Sequence, residues 1–374
     1  MASAGSVRML LVAGGTGGHI IPAVAFGTWL KERRSEVAVD YMSGSRPLEL
    51  DIYRKSGIEP FALRAEGSPI GAPRGRRISR WLDLLAGIGQ ARRFILDDCR
   101  KRYDLCVLFG GYVSAAALLV CKLHGIRLLV HEQNARAGRV TRIASKLGAQ
   151  IASGWQVCEP LPTASFIRTG TPVRRIESVD RGEAWRALQL PGELPDGPIV
   201  VVTTGSIGSA GVGEMIGRLA AEPNHAGWSF LVVDADVEEP VRVGSGLFRV
   251  PRVWHVDNLY SLADALVTRA GASTLAEVEA LGIPTLVIPW RGATDDHQML
   301  NANQVRGSEG IAVWDERCDD LTELSRKVEY LAVSRLSKKR DIGKRMYNAF
   351  ENICGRLWNL AAGTMKGEVH VGGR

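Results

Sequence analysis

Short apolar runs, β-branched or leucine-rich, alternate along the chain with longer segments of helical period, and the series starts twice. The first set holds Met9–Ala13, Val37–Met42, Leu105–Leu108 and Leu128–His131. The second holds Ile199–Thr204, Phe230–Val233, Ala265–Thr268 and Thr285–Ile288. Strands without polar alternation are covered on both faces, and strands separated by helices pair in parallel. The expected fold class is therefore α/β, with two doubly wound, Rossmann-like domains facing each other across a cleft. Between the two sets, Pro172, Pro191, Pro195 and Pro198 stand among many charges, which places the domain boundary near Arg174. We expect one domain over 1–174 and a second over 175–340. A C-terminal helix over 341–362 should return to the first domain, and the Gly-rich residues 363–374 should form a disordered tail.

A chain of 374 residues, 45% hydrophobic and 23% charged, can bury a sizeable core. That composition excludes disordered, fibrous and membrane-spanning classes. No apolar run approaches the ~20 residues that cross a bilayer. Met1–Arg8 is too short and polar for a secretory signal, so a cytoplasmic protein is expected. The six cysteines include no C-x-x-C pair and have no nearby histidine partners, which indicates neither a zinc site nor a disulfide framework. The net charge of +7 is local: residues 64–102 hold ten Lys/Arg against four acids. With the remainder nearly neutral, nucleic acid is not an expected partner.

Each half opens with a buried strand, a glycine-rich turn and a helix. The first turn is Gly14-Gly15-Thr16-Gly17-Gly18-His19, and the second is Gly205-Ser206-Ile207-Gly208-Ser209. Such turns allow a ligand close to the backbone and aim the positive helix end at an anion, although either can also be a plain tight connection. A dinucleotide fingerprint laid on Gly15–Ile20 fails at its third glycine, where Ile20 stands. Neither turn is followed by the Gly-Lys-Ser/Thr of a P-loop.

The string Gly14-Gly15-Thr16-Gly17-Gly18-His19-Ile20-Ile21-Pro22-Ala23 resembles the opening of the MurG family, GT-B glycosyltransferases that add N-acetylglucosamine to lipid I in bacterial cell-wall synthesis. Gly110-Gly111-Tyr112-Val113-Ser114, His131-Glu132-Gln133-Asn134 and Gly170-Thr171-Pro172-Val173-Arg174 follow in that family's order. In the second half, Ala270–Glu277 and His297–Ala302 are similar to its nucleotide-sugar segments. Two departures stand out: Thr204-Gly205-Ser206-Ile207-Gly208-Ser209 replaces the usual GGSQGA, and Thr171 replaces Asn in GNPVR.

The resemblance implies inverting, metal-independent transfer from UDP-N-acetylglucosamine to polyprenyl-linked lipid I, with no cofactor. Inversion needs a base on one face of the donor sugar and a stabilised diphosphate on the other. His19, at a helix start whose positive end disfavours the imidazolium, serves as base or as acceptor ligand, while a surface or capping role is the plain alternative. Thr16, Gly17, Gly18, Asn134 and Arg174 are assigned to acceptor or diphosphate. Gly205, Ser206 and Gly208 are assigned to the leaving group, Val256, Ala272, Ser273 and Thr274 to the nucleotide, and Gln298 to the sugar hydroxyls. Glu277 is assigned to the ribose, although Thr274 and Glu277 also read as a capping box. Asp234-Ala235-Asp236 has the spacing of a metal-binding Asp-x-Asp, but Glu238-Glu239 follow it and a solvated acidic loop is the expected reading.

Ile78, Trp81, Leu82, Leu85 and Ile88 form one apolar helical stripe, with Arg76 and Arg80 on the opposite side and Arg74 and Arg77 at its edge. By itself this is an ordinary amphipathic helix. The family resemblance makes it a patch for the anionic inner face of the cell membrane, where a substrate with a polyprenyl tail resides. Rival readings are a GT-B transferase with another lipid acceptor, a UDP-N-acetylglucosamine 2-epimerase of similar paired domains, and a binding protein that has lost catalysis. An epimerase leaves the basic apolar stripe unexplained. Retention of His19, Asn134, Glu277 and Gln298 argues against lost catalysis.

Overall fold

The computed structural model describes residues 7–64, 77–97, 100–203, 210–252, 256–317, 320–336 and 342–367. It divides into two compact units. The first runs to Arg174 and takes in the chain again from Phe350, and the second is Arg175–Ala349.

In the first unit the chain forms β1 (Val7–Ala13), α1 (Gly17–Arg33), β2 (Val37–Gly44), α2 (Pro47–Lys55), β3 (Phe61–Leu63) and α3 (Arg77–Ile95). A short hairpin of β4 (Leu96–Asp97) and β5 (Arg100–Lys101) follows. Then come β6 (Leu105–Gly110), α4 (Val113–Leu123), β7 (Arg127–Glu132), α5 (Arg139–Lys146), β8 (Gln150–Ser153) and β9 (Ile167–Arg168). Seven of these strands form one sheet in the order β3-β2-β1-β6-β7-β8-β9, parallel throughout. From β1 the chain builds outward to one side and then resumes at β6 on the other. The helices following β1 and β6 therefore leave from a switch point, where the carboxyl ends of open α/β sheets bind ligands. Leu10, Val12, Cys106, Leu108, Leu128 and Val130 pack with Ala117 and Cys121 of α4 in a buried core, which is why these strands read as continuous apolar runs.

The second unit repeats the plan. It comprises α6 (Arg181–Ala187), β10 (Ile199–Thr203), α7 (Ala210–Ala220), β11 (Ser229–Asp234), β12 (Val241–Gly244), β13 (Leu247–Pro251), α8 (Asp257–Leu262), β14 (Ala265–Thr268) and α9 (Ala272–Leu281). β15 (Thr285–Val287), α10 (His297–Val305), β16 (Ile311–Val313) and α11 (Leu321–Leu336) complete it. The sheet order is β12-β13-β11-β10-β14-β15-β16, parallel except for the β12–β13 pair, and its switch point lies between β10 and β14. The buried Asp264 carboxylate holds the start of β10, accepting from Ile199 N at 2.9 Å and from both Arg181 Nη atoms at 2.7 and 3.0 Å.

The last helix, α12 (Ile342–Lys366), is tied to α1 within the first unit. Trp29 Nε1 donates to Glu351 Oε2 at 2.9 Å, and Arg33 Nη2 pairs with Glu351 Oε1 at 2.7 Å. Residues 363–366, expected in the disordered tail, continue this helix. Thr364 Oγ1 donates back to Leu360 O, and the stop comes at Gly367, where φ is +83°.

The basic segment forms α3, and its apolar stripe divides. Ile88, Ala91, Phe94 and Ile95 turn into the core, whereas Trp81, Leu82 and Leu85 are 49%, 61% and 62% exposed. Ile88, the last residue of the stripe, packs inward, while Trp81, Leu82 and Leu85 of the expected membrane patch stay outward. Arg80 is partly exposed, the side chains of Arg77 and Ile78 lie outside the described residues, and so do Arg74 and Arg76 altogether. Among the described residues no helix is long and apolar enough to cross a membrane.

Candidate active site

The first unit's site begins where β1 and β6 end. Gly14 N donates to Gly110 O at 3.3 Å, and a Cβ on Gly111, whose φ is +84°, would sit 2.2 Å from the Gly14 carbonyl oxygen. No side chain fits between these backbones, so the two glycine motifs form one surface. Gly15, at φ +97°, turns the chain into α1, and Thr16 is its N-cap without a side-chain bond. The Thr16 carbonyl accepts His19 N at 3.2 Å, which fixes the first turn.

A buried carboxylate clamps this turn. Glu49 of α2 accepts from Gly15 N through Oε1, and its Oε2 takes Arg46 N at 3.0 Å and Tyr112 Oη at 3.0 Å. Arg46 Nη2 donates to Gly15 O at 2.8 Å and lies over the Tyr112 ring. The Tyr112 phenol is held well above its usual range, first by burial and then by the charge of Glu49. Sequence reading assigned no role to Arg46, Glu49 or Tyr112. The available signal was the i,i+3 Arg46/Glu49 pair at the start of α2.

His19 is half-buried, its ring lying against Gly110, where a Cβ would come within 2.7 Å of Nδ1. Its Nδ1 lies 2.9 Å from Gln133 Oε1. Gln133 in turn contacts His131, a buried residue at the end of β7 whose imidazole pKa is lowered to about 4, chiefly by burial. Asn134 follows on the same loop. Its backbone N and its Nδ2 both reach Glu132 Oε1, while Glu132 Oε2 takes Gly138 N at 2.8 Å and Thr141 Oγ1 at 2.6 Å. Glu132 thereby shapes the loop that presents Asn134. Arg174 ends the unit's main segment and is partly exposed.

In the second unit, Ala272, Ser273, Thr274 and Glu277 all lie on α9, which starts beyond Gly271 as N-cap and has no side-chain cap. The capping-box reading of Thr274 and Glu277 is therefore corrected. Thr274 is the third helical residue, and Glu277 sits a turn further in, out of reach of the N-cap amide. Glu277 is buried and accepts from Tyr260 Oη at 3.1 Å, which orients its carboxylate. Val256 is the N-cap of α8, four residues before Tyr260, and its carbonyl accepts Tyr260 N at 2.9 Å. Gln298 of α10 uses Oε1 to take Ala270 N at 3.2 Å and Trp290 N at 2.9 Å, while Asn301 Nδ2 donates to Ala270 O at 3.0 Å. The turn between β14 and α9 is thus held at both its N–H and its C=O by one helix. Gln298 has its carbonyl committed, so what it offers a ligand is the NH₂ group.

Gly205, Ser206 and Gly208, with the substituted Thr204 and Ile207, lie outside the described residues. Asp234 is not a free acid: Arg249 Nε donates to its Oδ2 at 2.7 Å and Asp236 N to its Oδ1 at 2.9 Å. Burial works against its charge, yet these two partners hold its carboxyl below the usual range. Among the described residues no group of three His, Cys, Asp or Glu side chains is placed to hold a metal.

Two family models match this chain, the glycosyltransferase family 28 N-terminal domain over residues 9–153 and its C-terminal domain over 252–355. A UDP-N-acetylglucosamine–N-acetylmuramyl-(pentapeptide) pyrophosphoryl-undecaprenol N-acetylglucosamine transferase of Desulforudis audaxviator is 32% identical over 329 residues, 82% of this chain and 84% of the relative. One of the same name from Magnetococcus marinus is 31% identical over 320 residues, 81% of this chain and 82% of its own. Among solved structures, Acinetobacter baumannii MurG aligns with a TM-score of 0.65 at 20% identity, covering 95% of this chain and 99% of that one. The kitacinnamycin glycotransferase aligns at 0.63 and 17% identity, covering 96% and 97%. These structural likenesses make the fold GT-B. The sequence matches go further: the chain belongs to glycosyltransferase family 28 and, within it, to the MurG family of N-acetylglucosamine transferases.

Proposed function

We propose that the protein transfers N-acetylglucosamine from UDP-N-acetylglucosamine to the 4-hydroxyl of the muramoyl sugar of lipid I, giving lipid II for peptidoglycan. The observation that carries this reading is the match with transferases of that name at 32% identity across 82% of the chain. In the proposed reaction His19 Nε2 takes the acceptor hydroxyl proton, and the oxygen attacks C1 of the donor sugar from the face opposite the diphosphate. The C1–O bond breaks with its electron pair leaving on UDP. Thr16, Gly17, Gly18, Asn134 and Arg174 are the groups proposed to meet the acceptor and its diphosphate. Ala272, Ser273, Thr274, Val256 and Glu277 are proposed for the nucleoside and Gln298 for the sugar, with Gly205, Ser206 and Gly208 at the donor diphosphate.

The test is incubation with UDP-N-acetylglucosamine and a lipid I analogue, with and without EDTA. Disaccharide lipid and free UDP are expected in equal amounts under both conditions, because the residues assigned to the diphosphate are backbone amides and side chains rather than ligands of a cation. N-acetylmannosamine derivatives without disaccharide would support the epimerase instead, and a strict requirement for Mg²⁺ would overturn the metal-free reading. His19→Ala should lower turnover roughly 10²- to 10⁴-fold, as for a lost general base, with UDP affinity unchanged. Near wild-type turnover would remove His19 from the role.

Glu277 sets the second prediction. Its carboxylate is buried and held by Tyr260, so two vicinal ribose hydroxyls would find acceptors already in place. Titration calorimetry of Glu277→Ala should show UDP binding weakened by roughly tenfold or more, the scale of a hydrogen bond to a charged group. Wild-type affinity in a normally folded variant would discard the ribose assignment.

The third concerns membrane docking, which we propose for the outer face of α3 together with Arg74, Arg76, Arg77 and Arg80. Trp81, Leu82 and Leu85 are exposed large apolar residues in a row, an arrangement that is costly in water unless something covers it. Anionic liposomes should recover the protein by flotation at low salt. Recovery should fall as the Debye length shortens from ~10 Å at 0.1 M to ~3 Å at 1 M, and also in Trp81→Ser/Leu82→Ser. Equal recovery on neutral vesicles, or normal flotation of the double variant, would refute the patch.

A further inference from the structure

Three groups of the first unit stand in a row behind the proposed base His19: Gln133, His131 and the Gly170 carbonyl. His131 Nε2 is 2.9 Å from Gly170 O, and Gln133 Nε2 is 3.1 Å from His131 Nδ1 and 3.0 Å from His131 O. Gln133 Oε1 is 2.9 Å from His19 Nδ1. His131 and Gln133 are each only 1% exposed, so bulk water does not compete for these bonds.

The polarity of the row follows from its far end. A carbonyl oxygen only accepts, so His131 Nε2 carries the hydrogen toward Gly170. The His131 ring is neutral at physiological pH, its pKa lowered to about 4 chiefly by burial, and a neutral imidazole protonated on Nε2 has a bare Nδ1. Gln133 must then place its NH₂ there, a direction fixed a second time because the same nitrogen reaches the His131 carbonyl. With its NH₂ committed, Gln133 turns its oxygen to His19, and that oxygen can only accept. His19 Nδ1 must therefore carry a hydrogen.

We infer that Gln133, itself set by His131 and the Gly170 carbonyl, is a positioning residue that holds neutral His19 as its Nδ1–H tautomer, leaving Nε2 as the basic nitrogen. The inference deepens the transferase reading and rests on it for its catalytic meaning: the Nε2 lone pair is what an acceptor hydroxyl needs. An imidazole free in water prefers the opposite tautomer, with Nε2 protonated, so an unsupported His19 would mostly present the wrong atom. The same bonds also hold the Nδ1 side of the ring close to Gly110.

The experiment is long-range ¹H–¹⁵N NMR on full-length protein labelled at its seven histidines, with His19 assigned by its loss in His19→Ala. Above the pH at which the ring is protonated, the wild-type His19 signals should show a protonated Nδ1 and an unprotonated Nε2. Gln133→Met, of similar length and without the acceptor, should shift them toward the Nε2–H pattern. It should also lower kcat roughly 10- to 100-fold with little change in the KM for UDP-N-acetylglucosamine. A wild-type His19 protonated on Nε2 would overturn the inference, and so would an unchanged tautomer in Gln133→Met. The wild-type spectrum needs no substrate and, beyond the His19→Ala sample used for assignment, no variant. If it shows the Nδ1–H form in a protein without transferase activity, the tautomer relay stands and the transferase reading falls.

Discussion

The carboxyl ends of β1 and β6 approach so closely that Gly14 and Gly111 leave no room for a side chain between them. The rest of the first unit's site depends on that approach. It forces Gly110, Gly111 and Gly15 into positive φ, which favours glycine because a Cβ is penalised there. It also places the start of α1 on the surface of the second motif, with His19 lying on Gly110. The arrangement carries a cost: two glycine-rich turns lose much backbone entropy on ordering. Glu49 offsets it, binding Gly15 N while its other oxygen takes Arg46 N and Tyr112 Oη, so that one buried carboxylate holds three separate segments.

The second unit solves an equivalent problem with amides. The turn between β14 and α9 crosses the switch point of its own sheet, and Gln298 and Asn301 of α10 hold Ala270 at both ends of its peptide groups. Glu277 is buried one turn deeper along α9 and is oriented by Tyr260 of α8. Rigid support of this kind fixes the direction of each polar group before a ligand arrives, which is what preorganised binding and transition-state stabilisation require.

The α/β class and the GT-B assignment were legible because both sheets are parallel and buried on both faces, and the strands therefore appear as unbroken apolar runs between helical segments. The strings GGTGGH, GGYVS and HEQN were legible for a related reason: glycine at positive φ and a strand-end polar cluster are local features written in consecutive residues. The contacts that support them were not. Glu49 acts on Gly15 from 34 residues away, and Gln133 on His19 from 114 residues away, distances over which no periodicity or spacing carries information. Thr274 and Glu277 show the opposite error. Their T-x-x-E spacing satisfies a local rule, yet α9 begins three residues earlier than that rule implies, with Gly271 as N-cap, because the turn is tied down by α10 and not by a side-chain cap. Helical period likewise gives the stripe of α3 but not the point along it, between Leu85 and Ile88, at which the core begins.

The proposed chemistry is a single displacement at the donor sugar, with one base and no covalent sugar–protein intermediate. The configuration of the new glycosidic bond tests it most directly. UDP-N-acetylglucosamine is the α-anomer, so a single attack from the opposite face must yield a β-linked disaccharide. The anomeric proton coupling of the isolated product from a lipid I analogue reads this without reference to rate or affinity. A single displacement gives the large coupling of a β-linkage throughout the reaction; an α-linked product would exclude it.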